Sequence, residues 1–135
     1  MKHIVHHRFK GKAICGYVNI PAMTEVYADE HIAYIDGKPL CYLFSENGMK
    51  YIARNDDGQG MTRGKLARHI QNRLEKRDAK YQDRWNKVWE DPICRKYKRP
   101  DNQDFWLWSR TFYDAPIQDL QHIADLVDAK AGVNG

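Results

Sequence analysis

The sequence predicts a single α+β domain, with strands first and helices after. Three observations carry this. Short β-favouring runs separated by turn residues fill positions 1–44. Apolar residues at helical spacing dominate from about position 61 onward. No linker, internal repeat or low-complexity segment divides the two parts. The expected architecture is a small antiparallel β-meander or partial barrel over 1–44, followed by a mainly helical part over 45–135.

In the first part, Ile4-Val5, Ala13-Ile14-Cys15, Tyr17 to Ile20, Glu25-Val26-Tyr27, His31 to Ile35 and Leu40 to Phe44 are the predicted strands. Lys10-Gly11-Lys12, Pro21, Ala28-Asp29-Glu30 and Asp36-Gly37-Lys38-Pro39 lie between them. Asp36-Gly37 predicts a tight hairpin, because a two-residue hairpin turn needs positive φ.

Ser45 predicts the cap of a short helix from Glu46 to about Arg54, and 55–60 reads as a loop. Thr62 is the expected N-cap of the next helix, whose stripe is Leu66, Ile70 and Leu74. Tyr81, Trp85, Val88 and Trp89 continue at helical spacing until Asp91-Pro92 interrupts. Phe105, Trp108 and Phe112 share a further face. Asp114 is the expected cap of the last helix, with Ile117, Leu120, Ile123, Ala124 and Val127 facing inward and Gly132 ending it.

Length and composition narrow the function classes. A chain of 135 residues can bury its own core. Hydrophobic residues at 42% and charged ones at 30% argue against wholesale disorder. No apolar run approaches the ~18 residues of a membrane span. The start of the chain is basic and His-rich, without a signal peptide's apolar stretch, and three cysteines cannot all pair within the chain. A reduced, cytoplasmic protein with no membrane partner is expected.

Charge is unevenly spread. Residues 63–80 hold Arg63, Lys65, Arg68, Arg73, Lys76, Arg77 and Lys80 against Glu75 and Asp78, whereas the whole chain is only +4. Arg95, Lys96, Lys98 and Arg99 surround Tyr97. Clustered cations attract phosphate, so Arg63, Lys65, Arg68, Arg73, Arg77 and the second cluster are the predicted partner surface. The alternative is an ordinary solvated helix face. Arg63, Arg68 and Arg73 lie off the apolar stripe and are expected to point to solvent. Trp85, Trp89 and Trp108 read as core, while Trp106 reads as exposed, able to stack a base or anchor a protein contact.

Catalytic signatures are missing. Gly58-Gln59-Gly60 before a helix resembles a phosphate loop, but Gly64-Lys65 leads into Leu66 rather than Ser or Thr. No serine elbow, HExxH or paired CxxC occurs, and no nucleophile, base and orienter can be assembled. A binding protein rather than an enzyme is expected. A structural zinc site is the sharpest local hypothesis: Cys15, Cys41 and Cys94 with His6 form a possible Cys₃His set. Spacings of 25 and 52 residues match no zinc-finger pattern, and buried thiols are the competing explanation.

Arg8 to Gly16, Ala53 to Gly58, Arg63-Gly64-Lys65-Leu66, Lys87 to Asp91 and Trp106-Leu107-Trp108 resemble a group of small proteins of phages and prophages of Gram-positive bacteria. Proteins of that kind include inhibitors of the host's type II-A CRISPR nuclease. The resemblance implies no catalytic residue. It implies an anti-CRISPR role against a host defence nuclease such as Cas9, exerted in the bacterial cytoplasm by docking on protein or on bound nucleic acid. A nucleic-acid-binding phage accessory protein and a small metallo-hydrolase are the other two readings.

Overall fold

The computed structural model describes residues 2–97 and 111–129. It has the predicted order, an N-terminal antiparallel β part followed by helices. The strands are β1 (Lys2–Val5), β2 (Phe9–Ala13), β3 (Gly16–Ile20), β4 (Glu25–Ala28), β5 (Ile32–Ile35), β6 (Lys38–Tyr42) and β7 (Ile52–Arg54). The helices are α1 (Glu46–Tyr51), α2 (Gly60–Glu75), α3 (Tyr81–Glu90), α4 (Pro92–Arg95) and α5 (Ile117–Asp128), with a 3₁₀ turn at Thr111–Tyr113.

Five strands form one antiparallel sheet in the order β6-β5-β4-β1-β7, and β2 pairs with β3 as a separate hairpin. The hairpin leans on the sheet's β6 edge. Ile14 N–H donates to the Leu40 carbonyl (2.9 Å) and Cys15 N–H to that of Pro39 (3.1 Å). This seam joins the hairpin to the β6 edge of the five-stranded sheet. It also explains why Ile14 and Cys15 are not strand residues: their amides serve β6 rather than β3, so β2 ends at Ala13. The Asp36-Gly37 turn is present, both residues at positive φ (50° and 76°), with Ile35 opposite Lys38.

Two cores result. Val5, Phe9, Val26, Ala33, Leu40, Leu43 and Ile52 fill the strand part. Ala67, Ile70 and Leu74 of α2 pack with Leu120, Ile123, Ala124 and Val127 of α5, and with Val88, Cys94 and Phe112. Each large aliphatic buried here contributes roughly 1.5–3 kcal/mol. Trp85 and Trp89 stack on each other at 5.7 Å and pack on the helical core, as the spacing predicts.

Helix boundaries differ from expectation where tertiary pairing decides them. The helix begun by Ser45, whose side chain accepts from Gly48 N–H, stops at Tyr51. Ile52–Arg54 instead pairs with the edge of β1 as β7. Helix α2 starts at Gly60, two residues before Thr62, because Asn55 Oδ1 accepts the Gly60 N–H (2.9 Å) from outside the helix. Asp91 does end α3, and caps α4 by accepting from Ile93 and Cys94 N–H. Pro116, not Asp114, precedes α5, and the helix ends at Asp128. Gly132 and the Phe105–Trp108 segment lie outside the described residues, as does Trp106.

Candidate anion-binding face

Helix α2 sorts its residues by direction. Its buried side holds Gly60, Arg63, Gly64, Ala67, Ile70 and Leu74. Lys65, Arg68, His69 and Asn72 turn the other way and border an open cleft of about 460 Å³ with His6 and His7. The helix can approach the β1 end because position 64 is glycine. A Cβ there would lie 2.3 Å from His6 Cγ. His6 is therefore buried beneath α2, its ring 5.8 Å from that of Tyr113.

His7 is the hinge of the cleft. Its ring lies 4.5 Å from the Tyr51 ring, and its Nε2 meets both the Arg68 guanidinium and, at 3.0 Å, the Lys50 carbonyl. A neutral imidazole nitrogen can accept from Arg68 or donate to Lys50, not both. Burial holds the His7 pKa below its ordinary value, and the positive charge of Arg68 adds to this. The ring is thus kept neutral near pH 7 between two cations. Outside the cleft, Asp128 of α5 takes up His69 (2.7 Å) and Arg73 (3.0 Å). Among the described residues, none lining the cleft is acidic.

The cationic residues expected to form one surface divide into three kinds. Lys65 is exposed and Arg68 partly so, and both line the cleft. Arg73 is held by Asp128, Arg77 lies over the Tyr81 ring at 5.4 Å, Arg95 donates to the Trp89 carbonyl and Lys96 pairs with Asp119 at 3.1 Å. Arg63 corrects the expectation outright. It is only 3% exposed, donating to both carboxylate oxygens of Asp57 and to the carbonyls of Ala115 and Arg54. At helical spacing Arg63 falls on the same face as Ala67, Ile70 and Leu74, so it points inward, toward the 55–60 loop and the segment before α5, and not toward water. Lys98 and Arg99 lie outside the described residues.

The four expected zinc ligands are not brought together as a set. Cys15 is exposed at the β2–β3 turn, Cys41 belongs to the strand core and Cys94 to the helical core. Among the described residues no three His, Cys, Asp or Glu side chains form a group fit for a metal. The Cys94 thiol is pushed up to about 12 by burial and then by neighbouring Asp91. It is therefore a thiol and not a thiolate. Asp91 in turn pairs with His122 of α5 at 2.8 Å.

Sequence reasoning missed Lys50, His7 and His69 as members of the face. Nothing in the local pattern joins position 7 to position 68; only the β1–α2 crossing does. Among the described residues no helix is long and apolar enough to cross a membrane. No family model matches the chain, and no curated protein or solved structure matches it.

Proposed function

We propose that this chain is a binding protein that docks on the phosphate backbone of nucleic acid through the cleft between α2 and the segment after β1. The carrying observation is the lining: two cations and three histidines with an amide side chain, and no carboxylate among the described residues there. Such a surface gains by releasing counterions from a polyanion and needs no base-specific contacts. The resemblance to small phage proteins supplies a context for this face. Nucleic acid held by a host defence nuclease such as Cas9 presents the same phosphates, and occupation of them interferes with the nuclease without any catalytic step by the inhibitor.

The test is a gel-shift titration with single- and double-stranded DNA at two salt concentrations, with wild type and a Lys50→Glu/Lys65→Glu variant. Both lysines are exposed, so folding is preserved. Wild-type binding weakens steeply with salt, and the variant loses both affinity and part of the salt slope, about one unit per contact removed. Equal binding by the two proteins removes the cleft from the account. A Cas9 cleavage assay with the same pair separates inhibition of the nuclease from general binding.

A further inference from the structure

We propose that the outer face of β4–β6 is a second docking surface, and that its occupant is an arginine-bearing segment of a partner protein. The sheet has one face turned to the strand core. On the opposite face, α2 covers Ile4 of β1 and Ala53 of β7, both buried. The same face on β4, β5 and β6 carries tyrosines. Tyr27 stands directly across from Tyr34, their ring centroids 6.4 Å apart. Tyr42 shares the face, opposite Ile32 and two residues along β5 from Tyr34. Tyr27 is 64% exposed and Tyr42 55%. Large rings at such exposure on adjacent strands form a continuous patch rather than scattered surface residues.

The surroundings of this patch specify charge. An open cavity of about 690 Å³ beside it is lined by Tyr27, Tyr34 and Ile35 together with Glu25, Asp29 and Asp36, and by no cation among the described residues. Lys2 faces Tyr27 from β1 but does not line the cavity. Asp29 is fixed by accepting the His31 and Ile32 N–H groups at 2.8 and 2.7 Å, which keeps its carboxyl ionised. A chain of net +4 thus gathers three carboxylates around a pair of neighbouring tyrosines.

This combination suits a planar cation. A guanidinium stacks on a tyrosine face while its fork of N–H groups meets a carboxylate, which an ammonium cannot do as well. A nucleic-acid strand could use the rings, but its phosphates would meet the carboxylates.

Calorimetric titration of the full chain with a short oligo-arginine peptide tests this, beside oligo-lysine and a single-stranded oligonucleotide. Two variants accompany wild type: Tyr27→Ala/Tyr42→Ala, and Glu25→Gln/Asp36→Asn, which keeps the rings. The expected result is saturable arginine binding, weaker lysine binding, and an affinity loss of about tenfold or more in each variant at unchanged Tm. Failure of the arginine peptide to bind overturns the proposal. So does equal binding by wild type and the tyrosine variant, or loss of oligonucleotide rather than peptide binding when the tyrosines are removed.

Discussion

Arg63 grips Asp57 with both ends of its guanidinium, Nη1 to Oδ1 at 2.6 Å and Nη2 to Oδ2 at 2.5 Å. The arginine is buried and the aspartate is 45% exposed, so the pair closes the 55–60 loop onto the first turns of α2. Its Nε reaches further, to the Ala115 carbonyl at 2.7 Å, and so ties the loop to the segment leading into α5.

Arg63→Ala is expected to lower stability by about 2–4 kcal/mol, because a buried carbonyl, a partly buried one and a carboxylate lose their donors at once. Arg63→Lys recovers little of this, since an ammonium cannot span the same acceptors. Urea denaturation followed by tryptophan fluorescence measures both. A loss below about 0.5 kcal/mol, typical of an exposed surface residue, contradicts the buried placement.

The same pair predicts acid sensitivity. Arg63 holds the Asp57 carboxyl well below the usual carboxylate range. A depressed folded-state pKa means that its stabilisation is complete above the unfolded value of ~4 and is lost as pH falls toward the folded value. Asp57→Asn removes this contribution, so the stability difference between wild type and variant narrows steadily as pH is lowered from 5 toward 2. Asp78 and Asp119 are lowered in the same direction, by Arg84 and by Tyr97, so the variant keeps part of the acid limb. A gap independent of pH contradicts the coupling.

Two glycines mark close approaches of unequal rigidity. At Gly48 a Cβ would fall 2.2 Å from the Tyr42 carbonyl oxygen, which is backbone; at Gly64 it would meet the His6 ring. Gly48→Ala is expected to be the more damaging, because a β6 carbonyl cannot step aside as a side chain can. Gly64→Ala should cost about 1–3 kcal/mol and displace His6 from beneath α2. Thermal melts of the two variants decide the order, and a larger loss for Gly64→Ala would reverse it.

Thiol chemistry separates the three cysteines. Cys15 is exposed, whereas Cys41 and Cys94 are buried. A thiol-specific chromophoric reagent is therefore expected to titrate one group in the native protein and three after denaturation. Cys94→Ala loses both its packing and the hydrogen bond of its thiol to Asp91. Rapid native labelling of Cys94 would contradict both its burial and its raised pKa.

The fold was legible where local signals and tertiary demands agree. Asp36-Gly37 predicts its hairpin because only positive φ closes that turn, and Leu120, Ile123 and Val127 predict the buried side of α5 from spacing alone. Disagreement arises where a distant partner claims a residue. Ile52–Arg54 follows a helix in sequence but completes the β1 edge. Arg63 reads as one cation among seven in a basic stretch, and no periodicity reveals that Asp57 and Ala115 await it. The site was legible only in part for the same reason. Lys65 and Arg68 stand out by charge, while His7 and Lys50 join them through a crossing of elements far apart in the chain. The tyrosine face needed the register between β4 and β5, which places Tyr27 beside Tyr34.

The short run from Met49 to Ala53 serves both cores: Met49 and Ala53 face the helical one, Tyr51 and Ile52 the strand one. A span that contributes side chains in two directions cannot be assigned to either half. Dissecting the protein into a β fragment and a helical fragment therefore leaves one piece without part of its interior wherever the cut is made near this run. The two halves are expected to unfold together in a single transition, and circular permutants should tolerate new termini at the Asp36-Gly37 turn far better than between positions 49 and 53.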